Sequence, residues 1–174
     1  MKRYYIPFIP AANVNYLYLF SLYDLAEYDT DTKAFDTIHY VSLSKLAEMM
    51  GVSSSTVYRM TSTEDKNEYL KFLSIDKKQK TITLNNAFAD GMNRIPFVVL
   101  TDKEVMLLRE KNDLLLCRYL MYVKYYCGYS KSKTTDFTQE QFLIACGYSP
   151  NSNGNKDKLS YYNELLTDKR LLQI

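Results

Sequence analysis

The 174-residue chain has no tryptophan, one histidine, three cysteines, four prolines and five glycines. Each scarcity excludes something. One imidazole cannot form a histidine metal pair, and only His39 could be the base of a serine or cysteine triad. Cys117, Cys127 and Cys146 make no Cys-x-x-Cys pair, and an odd count without a secretion signal fits a reduced, cytoplasmic protein. Met1-Lys2-Arg3-Tyr4-Tyr5-Ile6-Pro7 lacks the apolar stretch and small-residue cleavage site of such a signal. No apolar run reaches the length of a membrane span, so no membrane partner is expected. Gly-x-Gly-x-x-Gly and the phosphate loop ending in Gly-Lys-Ser/Thr are both missing. The stretch Asp29-x-Asp31-x-Lys33 starts like a calcium loop. It puts Ala34 where glycine belongs and Tyr40 where the bidentate glutamate belongs, so it reads as a solvated loop. The expectation is a protein with no enzymatic activity, no cofactor and no metal.

Charge of one sign is also scarce. Lysine and arginine total 22 against 20 acids, a net charge of +2. A grip on nucleic acid must therefore come from local patches. Hydrophobic residues make up 47% and charged residues 24% of the chain, which is globular composition and excludes disorder and collagen.

The pattern predicts a first helix from Val14 to Glu27 with Asn13 as cap, then an acidic loop and a strand over Thr37–Val41. Ser42 caps a second helix, which carries Leu43, Leu46, Ala47 and Met50 inward and stops at Gly51. A third helix follows through Thr56, Val57, Tyr58, Arg59 and Met60, and Glu64–Lys71 is expected to be helical with Thr63 as cap. Phe72–Ile75 and Thr81–Leu84 read as a hairpin around Asp76-Lys77-Lys78-Gln79-Lys80. Asn85 to Pro96 is rich in turn formers and reads as a linker. Thr101-x-x-Glu104 and Thr138-x-x-Gln141 are capping boxes that start two more helices. Between them a helix from Asp113 to Cys127, stopped by Gly128, is apolar almost all round and should be central. Lys156–Leu166 is helical, and Leu171–Ile174 looks like one strand.

A repeat runs through this order. Ser42 to Ser53 and Thr138 to Ser149 share a hydroxyl cap, large apolar residues, then glycine, an apolar residue and serine, always 96 residues apart. Helix, glycine turn, polar serines and helix is the spacing of a helix-turn-helix, whose second helix offers its outer residues to a major groove. In the first copy Leu46, Ala47, Val52 and Val57 would be core. Ser54, Ser55, Tyr58 and Arg59 would face out, as hydroxyl, phenol and guanidinium groups suited to phosphates and base edges. Lys77, Lys78 and Lys80 would sit on the wing formed by the hairpin. Against this, residues 40 to 90 hold seven basic and six acidic residues, with Glu64, Asp65 and Glu68 close behind the third helix. The second copy offers Ser152, Asn153, Asn155, Lys156 and Lys158, where asparagine can read adenine and lysine can hold phosphate. Arg118 to Lys133 carries four basic residues and five tyrosines with no acid, but on so apolar a helix most of the tyrosines should be core.

Leu46-Ala47-Glu48-Met49-Met50-Gly51-Val52-Ser53-Ser54-Ser55-Thr56-Val57-Tyr58-Arg59 resembles the helix-turn-helix of bacterial DNA-binding proteins. The whole order, over residues 13 to 174, resembles the replication initiators of plasmids. It is also similar to the winged-helix replisome organisers and primosome proteins of low-GC Gram-positive bacteria and their phages. The resemblance implies a mainly α chain with small β wings, an α+β fold of two tandem winged-helix domains. They would span 1–90 and 101–174, joined by a linker at 91–100, with the second wing incomplete after one strand. In initiators one winged helix dimerises while the other grips repeated origin sites. The expected partners are double-stranded DNA, replication proteins and a second copy of the chain through the tyrosine-rich first helix. A transcriptional regulator using the same surface, and a protein-interaction scaffold, remain alternatives.

Overall fold

A computed structural model describes residues 3–29, 34–84, 96–129 and 136–171. Among these residues the chain is mixed α and β, with seven α-helices and two small antiparallel sheets. Residues 85–95 of the expected linker, the strand at the chain's end (but for Leu171), the lysine loop at 131–133 and residues 30–33 of the calcium-like stretch lie outside the described residues, and Ala34–His39 of that stretch are strand, not a solvated loop.

Strand β1 (Arg3–Pro7) turns Tyr4 and Ile6 inward. Its partner is β6 (Phe97–Thr101), which buries Val98 and Leu100, with Arg3 opposite Thr101 and Pro7 opposite Phe97. No strand was expected over residues 3–7, and residues 97–100, read as linker, are strand. The alternation of Tyr4 and Ile6 was the available signal.

Helix α1 (Tyr16–Leu25) starts later than predicted, capped by Asn15, whose side chain accepts from the Leu17 N–H at 2.9 Å. The Asn13 N–H donates instead to the Glu68 carboxylate. The helix also ends early, because Glu27 joins β2 (Glu27–Asp29), which pairs with β3 (Ala34–His39). Val41, expected at the end of that strand, lies beyond it. Tyr16, Leu19, Phe20 and Leu22, on the helix expected to form a dimer face, are buried within the chain. The Tyr16 hydroxyl donates to the Ile9 carbonyl at 2.7 Å, and its ring packs on Phe8 and Phe72.

Helices α2 (Leu43–Met50) and α3 (Ser54–Met60) follow, then a single 3-10 turn (Glu68–Lys71) in place of the helix expected over 64–71. Asn67, not Thr63, caps that turn. The Asn67 amide nitrogen also donates to the Met60 and Ser62 carbonyls at 2.9 and 2.6 Å, which holds the chain in a loop after α3. Strands β4 (Leu73–Asp76) and β5 (Thr81–Leu84) form the predicted hairpin, and β5 lies between β3 and β4.

Helix α4 (Asp102–Lys111) opens on the predicted capping box, with both halves formed. Its Glu104 is 3% exposed and also accepts from the Lys124 ammonium at 2.6 and 2.7 Å. Helix α5 (Leu114–Tyr129) is central and packs against α1 and β6. It runs through Gly128, which therefore stops nothing. Helix α6 (Gln139–Ala145) opens on the second capping box, and α7 (Asn153–Asp168) starts three residues before the predicted Lys156. The buried residues of all these elements form one continuous core.

The repeat is present in the hydrogen bonds themselves. Ser42 Oγ accepts from the Lys45 N–H and Thr138 Oγ1 from the Gln141 N–H. The Gly51 and Val52 N–H groups donate to the Glu48 and Ala47 carbonyls, and those of Gly147 and Tyr148 to Ile144 and Leu143. Each pair is 96 residues apart. Gly51 and Gly147 have φ of +68° and +76°, the left-handed turn that closes a helix and that side chains other than glycine disfavour.

Asp113 starts α5 and accepts from the Leu115 and Leu116 N–H groups and, at 2.6 Å, from the Tyr162 hydroxyl of α7. Burial opposes its charge. The hydrogen bonds from Tyr162, Leu116 and Leu115, with the nearby Lys158 ammonium, outweigh burial and hold its carboxyl below the ordinary value. Such a carboxylate stabilises the fold above the unfolded Asp value of about 3.9, and the contribution is lost as pH falls through the lowered folded value. Urea unfolding between about pH 5 and pH 2 should therefore show the wild type falling more steeply than Asp113→Asn. Parallel curves would remove Asp113 from the acid sensitivity.

Candidate nucleic-acid interface

Helix α3 is short, and its two ends are tied down. Ser53 caps the start, accepting from the Thr56 N–H at 3.2 Å, and its hydroxyl also meets those of Ser55 and Thr56, each at 2.9 Å. At the far end the Thr61 hydroxyl donates to the Val57 carbonyl at 2.9 Å. Thr56, Val57 and Met60 point into the core beside Leu46 and Ala47 of α2, as their spacing predicts. Val52, between the helices, is half-buried. The four remaining positions, Ser54, Ser55, Tyr58 and Arg59, are all exposed. These are the four residues the sequence assigned to the outer face, and the face carries no acid. Glu64 and Asp65 are exposed but fall after the helix has ended. Arg59 makes no ion pair or side-chain hydrogen bond among the described residues.

The hairpin tip is held by Asp76, which the sequence placed in the turn without a role of its own. Its carboxylate accepts from the Lys78 and Gln79 N–H groups at 2.8 and 2.9 Å, an aspartate turn. Lys80 closes the turn at a φ of +54°. Its carbonyl accepts from the Tyr40 N–H, and its ammonium donates to the Val41 carbonyl at 3.0 Å, so the tip is anchored beside the start of α2. Lys77 and Lys78 are exposed and make no ion pair among the described residues, whereas Lys80 is partly committed to Val41.

The second copy is electrically different. Ser152 is the cap of α7, and its hydroxyl accepts from the Asn155 N–H. Asn155 is half-buried and Asn153 is exposed. Lys156 pairs with Glu140 of α6 at 2.8 Å, and Lys158 lies 3.7 Å from the Asp113 carboxylate. Both lysines assigned here therefore face a carboxylate of the chain's own, from another part of the sequence. The Lys156 hydrogen bond holds the Glu140 carboxyl below its ordinary value.

Arg118, counted in the sequence among basic residues interleaved with aromatics, is 7% exposed. Its guanidinium donates to the Cys146 carbonyl at 3.2 Å and to the Ala12 carbonyl at 2.7 Å, with Val14 at 3.4 Å. It also lies over the Tyr148 ring, 5.5 Å from the centroid. Its Nε has no partner among the described residues. Tyr119 and Tyr122 are core and Tyr125 is half-buried, while Tyr126 is 42% exposed. The α5 stretch is thus mostly a packing element, as its apolar circumference predicts. One arginine alone in so apolar a helix was the signal for a buried, carbonyl-bound cation.

Among the described residues no group of three or more His, Cys, Asp or Glu could hold a metal ion. Among them, too, no helix is long and apolar enough to cross a membrane. Compared with models of protein families, with curated proteins and with solved structures, the chain matches none.

Proposed function

We propose that this chain is a cytoplasmic, non-enzymatic protein that binds duplex DNA through α3 and the β4–β5 hairpin, in the manner of replication initiators and replisome organisers. The observation that carries the reading is the outer face of α3, where Ser54, Ser55, Tyr58 and Arg59 stand exposed and free of acids. The surrounding order supports it. Helix α1, strand β3, helices α2 and α3 and a hairpin whose return strand pairs with β3 are the parts of a winged helix, in sequence. The repeated capped helix and glycine turn at α6 supports a second such unit, with Ser152, Asn153, Asn155, Lys156 and Lys158 in the secondary role. The free thiols Cys117 and Cys146, both buried, suit a reducing compartment.

The test is anisotropy of a labelled random-sequence duplex titrated over a range of salt. Affinity should fall linearly on a log–log plot, and Arg59→Glu with Lys78→Glu should weaken binding and flatten the slope by about 2. An unchanged slope in the double variant would sink the reading. The same surface in a transcriptional regulator would give the same result, and site selection against origin and promoter sequences separates the two. A scaffold reading is favoured by one observation: Val41, just before the cap of α2, and Met49, in its last turn, are 78% and 53% exposed. Absence of binding at low salt, with capture of a defined protein partner that Val41→Asp abolishes, would establish that reading instead.

A further inference from the structure

Among the tyrosines whose side chains are described, Tyr58 is the most exposed, at 66%. The other two exposed ones lie against rings, Tyr126 on Tyr122 with centroids 4.5 Å apart and Tyr161 on Tyr162 at 6.0 Å. The Tyr58 ring and hydroxyl have no partner among the described residues. A large ring left in water gives up the apolar burial it could have had, and apart from Tyr58, Tyr126 and Tyr161 the tyrosines whose side chains are described are buried or half-buried. Its neighbours on the outer face are short hydroxyls and one guanidinium. Hydroxyls accept and donate alike, so Ser54 and Ser55 discriminate little between base pairs. The guanidinium of Arg59, with the hairpin lysines, makes the face complementary to phosphate.

On the major-groove edges of the four base pairs, the apolar group is the 5-methyl of thymine. We propose that Tyr58 is a specificity-determining residue of the DNA site, its ring packing on a thymine 5-methyl group. The inference rests on the DNA-binding reading and adds to it the chemistry that the site prefers, a methylated pyrimidine beneath Tyr58. Burying one methyl group changes affinity by about fourfold.

The experiment compares two duplexes of equal length and charge, one of alternating deoxyadenosine and thymidine, the other with deoxyuridine in place of thymidine. Titrated by anisotropy at one low salt concentration, the wild type should bind the thymine duplex about fourfold more tightly for each methyl it covers. Tyr58→Ala should bind both alike, and Tyr58→Phe, which keeps the ring, should retain the preference. A second pair, alternating guanine and cytosine with and without 5-methylcytosine, should show the same gain from the methyl. Tight binding without any preference in the wild type would overturn the inference and leave the DNA reading standing. A preference that persists in Tyr58→Ala would overturn it too. No binding of the wild type to any of the four duplexes would overturn both. Because Tyr58 is largely in solvent, its variants should fold, and wild-type thermal unfolding of Tyr58→Ala checks that directly.

Discussion

Replacing Lys124 by methionine should cost about 3 kcal/mol of stability, one of the two largest losses expected from a single substitution here. The cost does not lie in the lost attraction alone. Glu104 is buried at the first turn of α4, where its carboxylate already accepts from the Thr101 N–H at 2.6 Å and the Thr101 hydroxyl at 2.9 Å. Among the described residues, Lys124 supplies the one neutralising charge in contact with it, from the neighbouring central helix. Methionine keeps the length of the side chain and removes the charge, leaving an anion out of water with hydrogen bonds but no cation. The figure sits at the low end of the usual range because the Lys124 side chain keeps 25% exposure, which lets water share the burden. Urea unfolding measures it. A loss under about 1 kcal/mol would place the pair among surface ion pairs. The double variant with Glu104→Gln should recover part of the loss, since the amide can still accept from Thr101 without a charge to bury.

Arg118→Leu should cost about 4 kcal/mol, for a different reason. Leucine suits the apolar surroundings and brings no charge. It leaves the Val14 and Cys146 carbonyls without their donor and the Ala12 carbonyl with only the Val14 N–H, in a region where Ala12, Val14 and Cys146 are all at most 3% exposed. Buried acceptors without partners each cost about 1–3 kcal/mol. Arg118→Lys should recover little, because a single ammonium cannot span carbonyls that the planar guanidinium fork reaches together. Amide hydrogen exchange gives the finer check. Protection should fall first at residues 12–14 and 146–148, the segments the guanidinium joins. Loss spread evenly over the chain would mean the arginine acts on global stability alone.

Much of the local chemistry was legible. Thr101 and Thr138 cap the helices that their spacing to Glu104 and Gln141 predicts, and Ser42 caps the helix it was expected to start, since a cap depends only on residues within one turn. Gly51 and Gly147 end helices for the same local reason. The outer face of α3 follows from the period of the helix. What sequence could not rank were choices settled by distant residues. The sequence points to Asn13 as the cap of α1, whereas Asn15, two residues on, is the cap. Glu68 takes the Asn13 N–H and the Tyr69 hydroxyl takes that of Asn15, both from the turn before β4, more than fifty residues on. Gly128 sits in a helix it was expected to end, because nothing at that point requires a positive φ. Lys156 and Lys158 looked like free cations because Glu140 and Asp113, which face them, belong to other elements. Strand β1 was missed since a short strand is recognisable chiefly through its partner, and its partner begins at Phe97.

That pairing sets a clock on biosynthesis. The sheet β2–β3–β5–β4 has all its strands once Leu84 has left the ribosome, so the β4–β5 hairpin and the α2–α3 turn can assemble early. Strand β1 must wait for Thr101. At about 5–20 residues per second, the roughly 90 residues between the two strands take on the order of 5–20 s to be made. Through that interval Tyr4 and Ile6 have no partner strand to shelter them, and the unpaired edge is open to mispairing. The part of the molecule that carries α2, α3 and the β4–β5 hairpin is therefore complete in sequence well before the β1–β6 sheet can close.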